Sequence, residues 1–242
     1  MAIVNGRPEA AFHDSAFKDL VIDASDARRM ASFWSSASGL SDEPCDLSGE
    51  GPDRVLRGAL REHTIWVNQV PEHRTAKQRV HLDLHVHRLS DLTELGATVD
   101  TAYPHWTVMR DPEGGELCAF ERDPQTLPSY RIYELVVDCV DPASISAWWA
   151  ERLGLEAGHD PGDPWYWLSG GGGAETAGLP WDVVFNAVPE PKTVKNRVHW
   201  DVWGVTADYL AAGAALLRER DDRIGWDVLA DPEGNEFCVF TR

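Results

Sequence analysis

The chain has 242 residues, 43% of them hydrophobic, which suits one large globular domain or two of about 120 residues each. Asp and Glu number 40 against 22 Lys and Arg, and the net charge of −18 argues against binding to the phosphate backbone of nucleic acids. No apolar run approaches the roughly 20 residues that span a bilayer, and no signal-peptide pattern opens the chain, so we expect a cytoplasmic protein with no membrane partner.

The cysteine and tryptophan content narrows these expectations. Cys45, Cys118, Cys139 and Cys238 show no Cys-x-x-Cys spacing, and reduced thiols are expected rather than a disulfide framework. Eleven tryptophans are many for this length, so some should lie in the core and others could line a pocket for a small-molecule ligand.

Followed in chain order, the sequence is a duplication. Three segments recur later in the same order: Lys18 to Asp26 as Tyr133 to Asp141, Asn68 to Glu72 as Asn186 to Glu190, and Trp106 to Gly114 as Trp226 to Gly234. Doubling over such a length indicates two copies of one domain rather than a solenoid. We therefore predict a tail at residues 1–14, one domain at 15–122, a linker at 123–130 and a second domain at 131–242.

The first elements of each half are a short strand and a helix. Asp26 and Gly39 have the residue types that begin and end a helix, which predicts a helix over residues 27–38. Asp141 and Gly154 repeat these signals in the second half. Two weaker strand patterns follow in the first half, at residues 54–60 and 63–70.

The stretch from Arg79 to His87 predicts a β-strand with two different faces. One face is apolar and the other carries three imidazoles and a carboxylate, from His81, Asp83, His85 and His87. Such a polar face should border a cleft, a ligand or solvent. The pattern Arg-Val-His-x-Asp returns in the second half, where it supplies His199 and Asp201.

A second helix and a hairpin close each half. Residues 89–95 predict a short helix, and the counterpart at 206–218 is longer and rich in alanine. The strands at 106–110 and 116–120 flank a turn in which Asp111, like Asp231 later, is interpreted as a turn-former rather than a catalytic acid. Each half therefore has the order βαβββ-βαβββ, an α+β arrangement.

These features together resemble a known family. The strand-helix opening, the Val-His-x-Asp strand and the Asp-Pro-Glu-Gly-x-Glu-x-Cys hairpin resemble the glyoxalase-like domains of the vicinal oxygen chelate superfamily, which includes glyoxalase I, the bleomycin-resistance proteins and the extradiol dioxygenases. The resemblance covers nearly the whole chain. It implies tandem domains, each of two βαβββ modules with curled mixed sheets around a cleft. It also implies an intramolecular pseudo-dimer, with a homodimer of two chains left open.

The resemblance further implies where a metal would lie. Metal-dependent members hold a divalent ion at four strand positions, of which the opening-strand position falls near Phe17 and Ile132, whose side chains cannot bind a metal. The second-module histidine is present as His81 and His199. The two other positions fall near Trp66 or Asn68 and Val184 or Asn186, and near Cys118 and Cys238, each two residues after Glu116 or Glu236.

Glyoxalase I activity itself is therefore not expected, since that chemistry needs a complete nitrogen- and oxygen-rich site. Trp203 stands in the place of His85 in the second half, so the two clefts should differ. The metal set that the sequence offers is His81, His85 and Glu116, and a divalent cofactor is expected in the first domain only.

Several functions remain open at this point. The leading hypothesis is a lyase or isomerase acting on an organic carbonyl compound or secondary metabolite, with acid–base groups from one of two sets. The sets are His81, Asp83 and Glu116, or His199, Asp201 and Glu236. The substrate pocket would contain Trp66, Asn68, Cys118, Asn186, Trp203 and Cys238.

The rival hypotheses do not involve a catalysed reaction. One is a non-catalytic protein that sequesters a small molecule, as the bleomycin-resistance proteins do, and another is a structural or regulatory pseudoenzyme. In the structural alternative, His81 and Arg79 are hydrogen-bonded structural residues. Cys118 is then a small buried side chain rather than a nucleophile.

Overall fold

The computed structural model describes residues 15–45, 51–170 and 178–242, so the predicted tail at 1–14 lies outside the described residues. Four modules follow one another, each with one helix and four strands. Module 1 contains β1 (Ala16–Ala24), α1 (Ala27–Ser38), β2 (Ser41–Pro44), β3 (Arg54–Arg57) and β4 (Ile65–Gln69). Module 2 contains β5 (Val80–Val86), α2 (Leu89–Thr93), β6 (Thr98–Ala102), β7 (Thr107–Arg110) and β8 (Glu116–Glu121).

The second half repeats this order. Module 3 contains β9 (Ile132–Cys139), α3 (Pro142–Leu153), β10 (Ala157–Gly158), β11 (Trp165–Leu168) and β12 (Asp182–Ala187). Module 4 contains β13 (Val198–Trp203), α4 (Thr206–Ala211), β14 (Ala215–Arg218), β15 (Asp227–Ala230) and β16 (Glu236–Phe240). The βαβββ-βαβββ order predicted for each half is thus confirmed.

The four modules combine into two eight-stranded sheets, and each sheet takes one module from each half of the chain. Modules 1 and 4 form the terminal sheet, in the order β14-β15-β16-β13-β1-β4-β3-β2. Modules 2 and 3 form the central sheet, in the order β10-β11-β12-β9-β5-β8-β7-β6. The two modules of a sheet meet through antiparallel opening strands, β1 with β13 and β5 with β9. The predicted tandem α+β architecture is confirmed, and each cleft-forming sheet proves to be shared between the halves.

The two long helices begin and end where the sequence predicted. The side chain of Asp26 accepts a hydrogen bond from the backbone N–H of Arg29 at 3.0 Å, and Gly39 follows α1 with φ of 78°. Asp141 and Gly154 cap α3 in the same way. Because these signals act within one turn of helix, they could be found without knowing the fold.

The helix predicted over residues 206–218 is wrong in its second half. α4 ends at Ala211, and Ala215–Arg218 form β14, which pairs with β15 at the edge of the terminal sheet. Gly213 lies between them with φ of 99°, a conformation that glycine adopts without strain. Sheet pairing therefore overrides the helix propensity of the alanines.

The two Asp-Pro-Glu-Gly turns have the structural role predicted for their aspartates. Asp111 Oδ1 accepts hydrogen bonds from the backbone N–H groups of Glu113 and Gly115, both at 2.8 Å. Asp231 makes the same two contacts one repeat later, each at 2.9 Å. Both carboxylates are therefore committed to their turns.

The same turns connect the two sheets. The Glu113 carboxylate, in the central sheet, accepts the backbone N–H groups of Ser25 and Asp26 at 3.0 and 2.6 Å, where the terminal sheet leads into α1. Glu233 makes the equivalent pair of contacts at the start of α3, at 2.8 and 2.7 Å. A carboxylate at a helix N-terminus also interacts favourably with the helix dipole.

The apolar core is one contiguous cluster with members from both sheets and both long helices. Trp34 of α1 and Trp149 of α3 are each 1% exposed, and the Trp149 ring lies 5.0 Å from that of Trp200 in the terminal sheet. The core therefore lies behind the sheets and leaves their other faces available for a site. Among the described residues, no helix combines the length and the apolar character needed to cross a bilayer.

Candidate functional site

Strand β5 separates its two faces as the alternation predicted. Its four apolar side chains are at most 2% exposed and belong to the core. On the opposite face, His81 and Asp83 line a cavity of about 590 Å³, hereafter the central cleft. The polar face of the strand therefore borders a hollow.

His81 lies at the centre of a three-residue cluster. Its Nε2 is 3.4 Å from Oδ1 of Asp83 and 3.6 Å from Sγ of Cys118, and the ligand atoms of all three lie within 4.8 Å of one another. Nδ1 of His81 and Oδ1 of Asp83 are buried, and neither makes a hydrogen bond within the described part of the chain. Leaving buried polar atoms unpaired is costly, and such atoms commonly mark a functional site.

Burial keeps this cluster largely uncharged. Desolvation lowers the pKa of His81, and it raises the pKa of Asp83 well above its usual value, with added repulsion from Glu134. Desolvation and the Asp83 carboxylate also raise the pKa of the Cys118 thiol. At neutral pH the imidazole is therefore unprotonated on one nitrogen and can accept a proton, whereas the thiol keeps its proton.

Other groups hold the carboxylate of Glu116. It pairs with Arg110 at 2.8 Å and with Arg74 at 3.5 Å, and it accepts the backbone N–H of Gln78 at 2.9 Å. Glu236 is held in the same way, by a lysine ammonium at 2.7 Å and a backbone N–H at 3.1 Å. Glu116 lines the central cleft but does not belong to the histidine cluster.

The ring of His85 stacks on that of Tyr133, with centroids 4.4 Å apart. Burial and the nearby Arg122 lower the pKa of His85. The set His81, His85 and Glu116 is thus not gathered around one point. Among the described residues, the groups with ligand atoms within 4.8 Å are His81, Asp83 and Cys118, and His199, Asp201 and Cys238.

The position across the sheet from His81 is apolar. The register of β5 and β9 pairs His81 with Val136, and Val184 is the partner of Val136 on β12. Ile132, near which the resemblance places the opening-strand ligand, pairs instead with Leu84. With valines here and the Glu116 carboxylate bound to arginines, the four-ligand metal site of the superfamily does not fit these residues.

The terminal sheet places valine opposite its histidine in the same way. His199 pairs with Val21 across β1 and β13, whereas Phe17 pairs with Val202 and is 4% exposed in the core. Both opening strands therefore present valine to the histidine of the other half.

Both halves of the chain build the central cleft. Aromatic side chains form much of its wall: Tyr103, Trp106, Phe120, Tyr133, Trp165 and Trp167. Neighbouring rings are in contact, with centroids 5.0 Å apart for Tyr103 and Trp106 and 5.4 Å apart for Phe120 and Tyr133. The wall suits a ligand with an apolar or π-rich body.

Sequence reasoning missed the contribution of module 3 to this site. The residues it did not assign are Tyr133, Glu134, Asp138, Trp165, Trp167 and Asp182. One usable signal was the repeat itself, in which Tyr133-Glu134 replaces Lys18-Asp19. Another was the alternation of Trp165 and Trp167, which places both rings on one face of a strand.

The terminal sheet carries the counterpart cluster with a lysine beside it. His199 Nε2 lies 3.9 Å from Cys238 Sγ. The Lys18 ammonium pairs with Asp19 and lies 3.8 Å from Asp201. Burial raises the pKa of Asp201 to about 7, against the opposing effect of Lys18.

Lys18 also covers the aromatic side of the terminal cluster. Its ammonium lies 4.0 Å from the ring centroid of Phe240 and 5.5 Å from that of Trp203. A lysine side chain therefore occupies the place that aromatic rings border in the central cleft.

The predicted pocket residues divide between the two sheets. Cys118 and Asn186 line the central cleft. Trp66, Asn68, Trp203 and Cys238 lie in the terminal sheet. Trp66 there donates its indole N–H to Asp19 at 3.0 Å. The six residues therefore do not form one pocket.

A family model described as a glyoxalase-like domain matches the chain twice, at residues 19–120 and 134–240. The comparison with curated proteins finds no match.

Two solved structures are similar over nearly the whole length. Glyoxalase I from Zea mays is 12% identical, with 93% of this chain and 92% of that chain covered and a TM-score of 0.65. A putative dioxygenase from Bacillus subtilis is also 12% identical, with 93% and 84% covered and a TM-score of 0.58. At this level of identity the likeness concerns the fold.

Proposed function

The chain belongs to the glyoxalase-like domain family, and from this premise we propose that it is a small-molecule enzyme of the lyase or isomerase type whose reaction takes place in the central cleft. The family fold supports a small-molecule enzyme or binding protein, and the histidine in the cleft favours the enzyme. The substrate would be an organic carbonyl compound or secondary metabolite.

The proposal rests on the protonation state and the position of His81. Its imidazole lines the central cleft and is kept neutral by burial, beside a carboxyl group and a thiol. A neutral imidazole within reach of a bound molecule is the common general base of proton-transfer enzymes.

Each group in the cluster receives a role in this proposal. His81 Nε2 removes a proton from the substrate, and the resulting imidazolium returns it to another atom of the same molecule. Asp83 lies 3.4 Å from that nitrogen, and its ionised form would stabilise the imidazolium while it exists. Glu116, fixed by its two arginines, holds its carboxylate at the side of the cleft.

We assign the reaction to the central cluster and not to its counterpart. Lys18 lies 3.8 Å from Asp201 and 4.0 Å from the ring centroid of Phe240, on the aromatic side of that cluster. An Asp201 carboxylate with Lys18 beside it stabilises an imidazolium on His199 less than a carboxylate without a cation would. Glu236, bound to its own lysine, would then be structural.

The test is a turnover assay with matched histidine variants. The protein is incubated in D₂O with 1,2-dicarbonyl, α-hydroxycarbonyl and phenolic probes, and NMR follows product formation and deuterium uptake. His81→Asn should lower kcat by about 10²- to 10⁴-fold, whereas His199→Asn should leave it within about twofold. Turnover that persists in His81→Asn, or that requires only His199, would refute the assignment.

Sequestration without chemistry is the second candidate, and the aromatic wall favours it. The contacting rings of Trp106, Phe120 and Tyr133 offer a stacking surface that needs no acid–base group. In that case Trp106→Ala should weaken binding, whereas His81→Asn should not, and no probe should be converted.

The metal set His81, His85 and Glu116 stays a prediction. Since the four-ligand site does not fit, no step of the proposed reaction passes through a metal. Elemental analysis of the purified protein for Fe, Mn, Ni, Co and Zn checks it, and absence of a stoichiometric ion would contradict the set.

We also propose a cytoplasmic protein that works as a single-chain pseudo-dimer. None of the four cysteines forms a disulfide in the described part of the chain, which is typical of a reducing compartment. Light scattering on the purified chain distinguishes this pseudo-dimer from a homodimer.

A further inference from the structure

The central cleft contains a row of carboxyl groups on neighbouring strands. The strand registers pair Asp83 with Glu134, and Glu134 with Asp182, and all three residues line the cavity. Neighbouring strands lie about 4.8 Å apart, so the three carboxyl groups share a small region. No lysine or arginine in the described ranges makes an ion pair with any of them.

Two cations near the cleft are paired with other carboxylates, and a third, the Arg122 guanidinium, lies 5.5 Å from the ring centroid of Phe120. Lys77 binds Asp138 at 2.6 Å, and Arg110 binds Glu116 at 2.8 Å. The remaining basic group of the lining is the imidazole of His81. The interior of the cleft is therefore short of positive charge.

Asp83 supplies an independent sign of a ligand site. It is 4% exposed, it faces the cavity, and its Oδ1 has no hydrogen-bond partner within the described ranges. Glu134 is its register partner, so the two carboxyl groups lie close together without a lysine or arginine counter-ion in the described ranges. A carboxylate in this condition gains most from a cation.

The walls around these carboxyl groups attract cations as well. Trp106, Phe120, Tyr133, Trp165 and Trp167 line the same cavity. The faces of aromatic rings attract ammonium groups, most strongly where water is excluded. The carboxyl groups and the ring faces together form a site whose charge and shape suit one organic cation.

The terminal sheet contains the same kind of site with a cation in it. The Lys18 ammonium pairs with Asp19, lies 3.8 Å from Asp201, and sits 4.0 Å from the ring centroid of Phe240. Asp19 and Asp201 are register partners across the middle of that sheet. The chain thus supplies its own ammonium group to two carboxylates and a ring.

Because the chain is a duplication, the corresponding positions can be identified in the central sheet. Asp83 and Glu134 are the corresponding register partners, and Phe120 is the corresponding ring on β8. The position of Lys18 is taken by Tyr133, which carries no positive charge. The central sheet thus retains the two carboxyl groups and the ring, but it has no lysine ammonium group at this position.

We propose that the central cleft binds an organic cation, a protonated amine or a quaternary ammonium group carried on an apolar body. The ammonium group lies between Asp83, Glu134 and the ring of Phe120, in the place that the Lys18 ammonium takes in the terminal sheet. The inference rests on the proposed function for the location of the site and adds the charge class of the ligand.

Matched pairs of probes test the charge preference. Choline is compared with its neutral isostere 3,3-dimethylbutan-1-ol, and benzylammonium with benzyl alcohol, by calorimetry and NMR on the full chain in EDTA, which removes metal ions. Each cation should bind at least about tenfold more tightly than its neutral partner. Equal affinities within a pair, or no binding of either cation, overturn the inference.

Variants at the lysine position test the geometry. Tyr133→Lys tethers an ammonium group in the central cleft and should weaken cation binding at least about tenfold, whereas the matched control Tyr133→Phe should keep it. Glu134→Gln should weaken benzylammonium binding about fivefold or more without changing that of benzyl alcohol. Circular dichroism checks the folding of each variant. Unchanged cation affinity in folded Tyr133→Lys overturns the inference.

The outcome for the ligand and the outcome for the reaction are separable. If neutral probes bind as well as cations and their turnover depends on His81, the charge class is wrong and the proposed reaction stands. If cations bind selectively but no probe is converted, the ligand class stands and the proposed reaction falls.

Discussion

The central and terminal sheets carry the same three side chains at the same strand positions, and yet the two clusters have different surroundings. In the central sheet, His81, Asp83 and Cys118 border a cavity of about 590 Å³. In the terminal sheet, a partly buried Lys18 lies 3.8 Å from Asp201 and covers the equivalent place. One residue of the opening strand accounts for much of this difference.

The comparison shows that one copy of a duplicated cluster can be kept for its contribution to stability. In the terminal sheet a lysine of the chain satisfies the buried carboxylates, so the cluster contributes to the fold without a ligand. In the central sheet the same carboxyl groups stay without an ionic partner, which costs stability and leaves them available. In the proposed function, one copy of the cluster serves stability and the other serves the reaction.

The largest effect is expected from removing the partly buried lysine. Lys18 has a side-chain exposure of 12%, and Lys18→Met leaves Asp19 and Asp201 without their counter-ion. The free energy of unfolding at pH 8 should fall by about 3–5 kcal/mol in a denaturant titration.

The matched control for that variant is Lys77→Met. The Lys77 side chain is 55% exposed although its partner Asp138 is buried, so water can partly replace the ammonium group and the loss should be smaller than that of Lys18→Met. Equal losses in the two variants would contradict the division between a structural and an available cluster.

The next effect concerns the pH dependence of stability. The pKa of Asp201 is raised to about 7 in the folded chain, so its protonated form favours folding. This contribution is complete below about pH 4 and is lost as the pH rises through about 7, with a limit of about 4 kcal/mol. Asp201→Asn should therefore gain stability relative to the wild type as the pH is raised from about 4.5 to 8.

Asp83→Asn should change in the same direction, because the pKa of Asp83 is also raised. Denaturant titrations at the two pH values check both variants. A stability difference from the wild type that is constant with pH would show that these carboxyl groups do not titrate as described.

The smallest effect is expected where the two halves are alike. Glu113→Gln and Glu233→Gln each weaken a charged pair of hydrogen bonds at the start of a helix. Each should lower the free energy of unfolding by about 1 kcal/mol, and the two losses should agree. Thermal or denaturant unfolding measures both, and clearly unequal losses would show that the two turns are not equivalent.

Features that depend on near neighbours in the chain could be predicted. The caps at Asp26 and Asp141, the turn aspartates Asp111 and Asp231, and the faces of β5 all follow from a few consecutive residues. The helix over 206–218 failed at its second half because pairing with β15, a tertiary contact, decided the conformation of residues 215–218.

The composition of the central cleft could not be read in the same way. The alternation in β5 specified that His81 and Asp83 share a face, but it did not specify which strand lies beside them. That strand is β9, from the other half, and it brings Glu134 opposite Asp83. The predicted pocket therefore mixed residues of two sheets.

The sequence by itself determined the duplication, the four modules and the polar face that carries His81, because periodicity and capping act locally along the backbone. Only the tertiary structure decided that module 2 shares its sheet with module 3 and that Tyr133 stands where the other sheet has Lys18. The physical reason is that the pattern of a strand fixes which side is buried, whereas its partner is chosen by the packing of the whole chain.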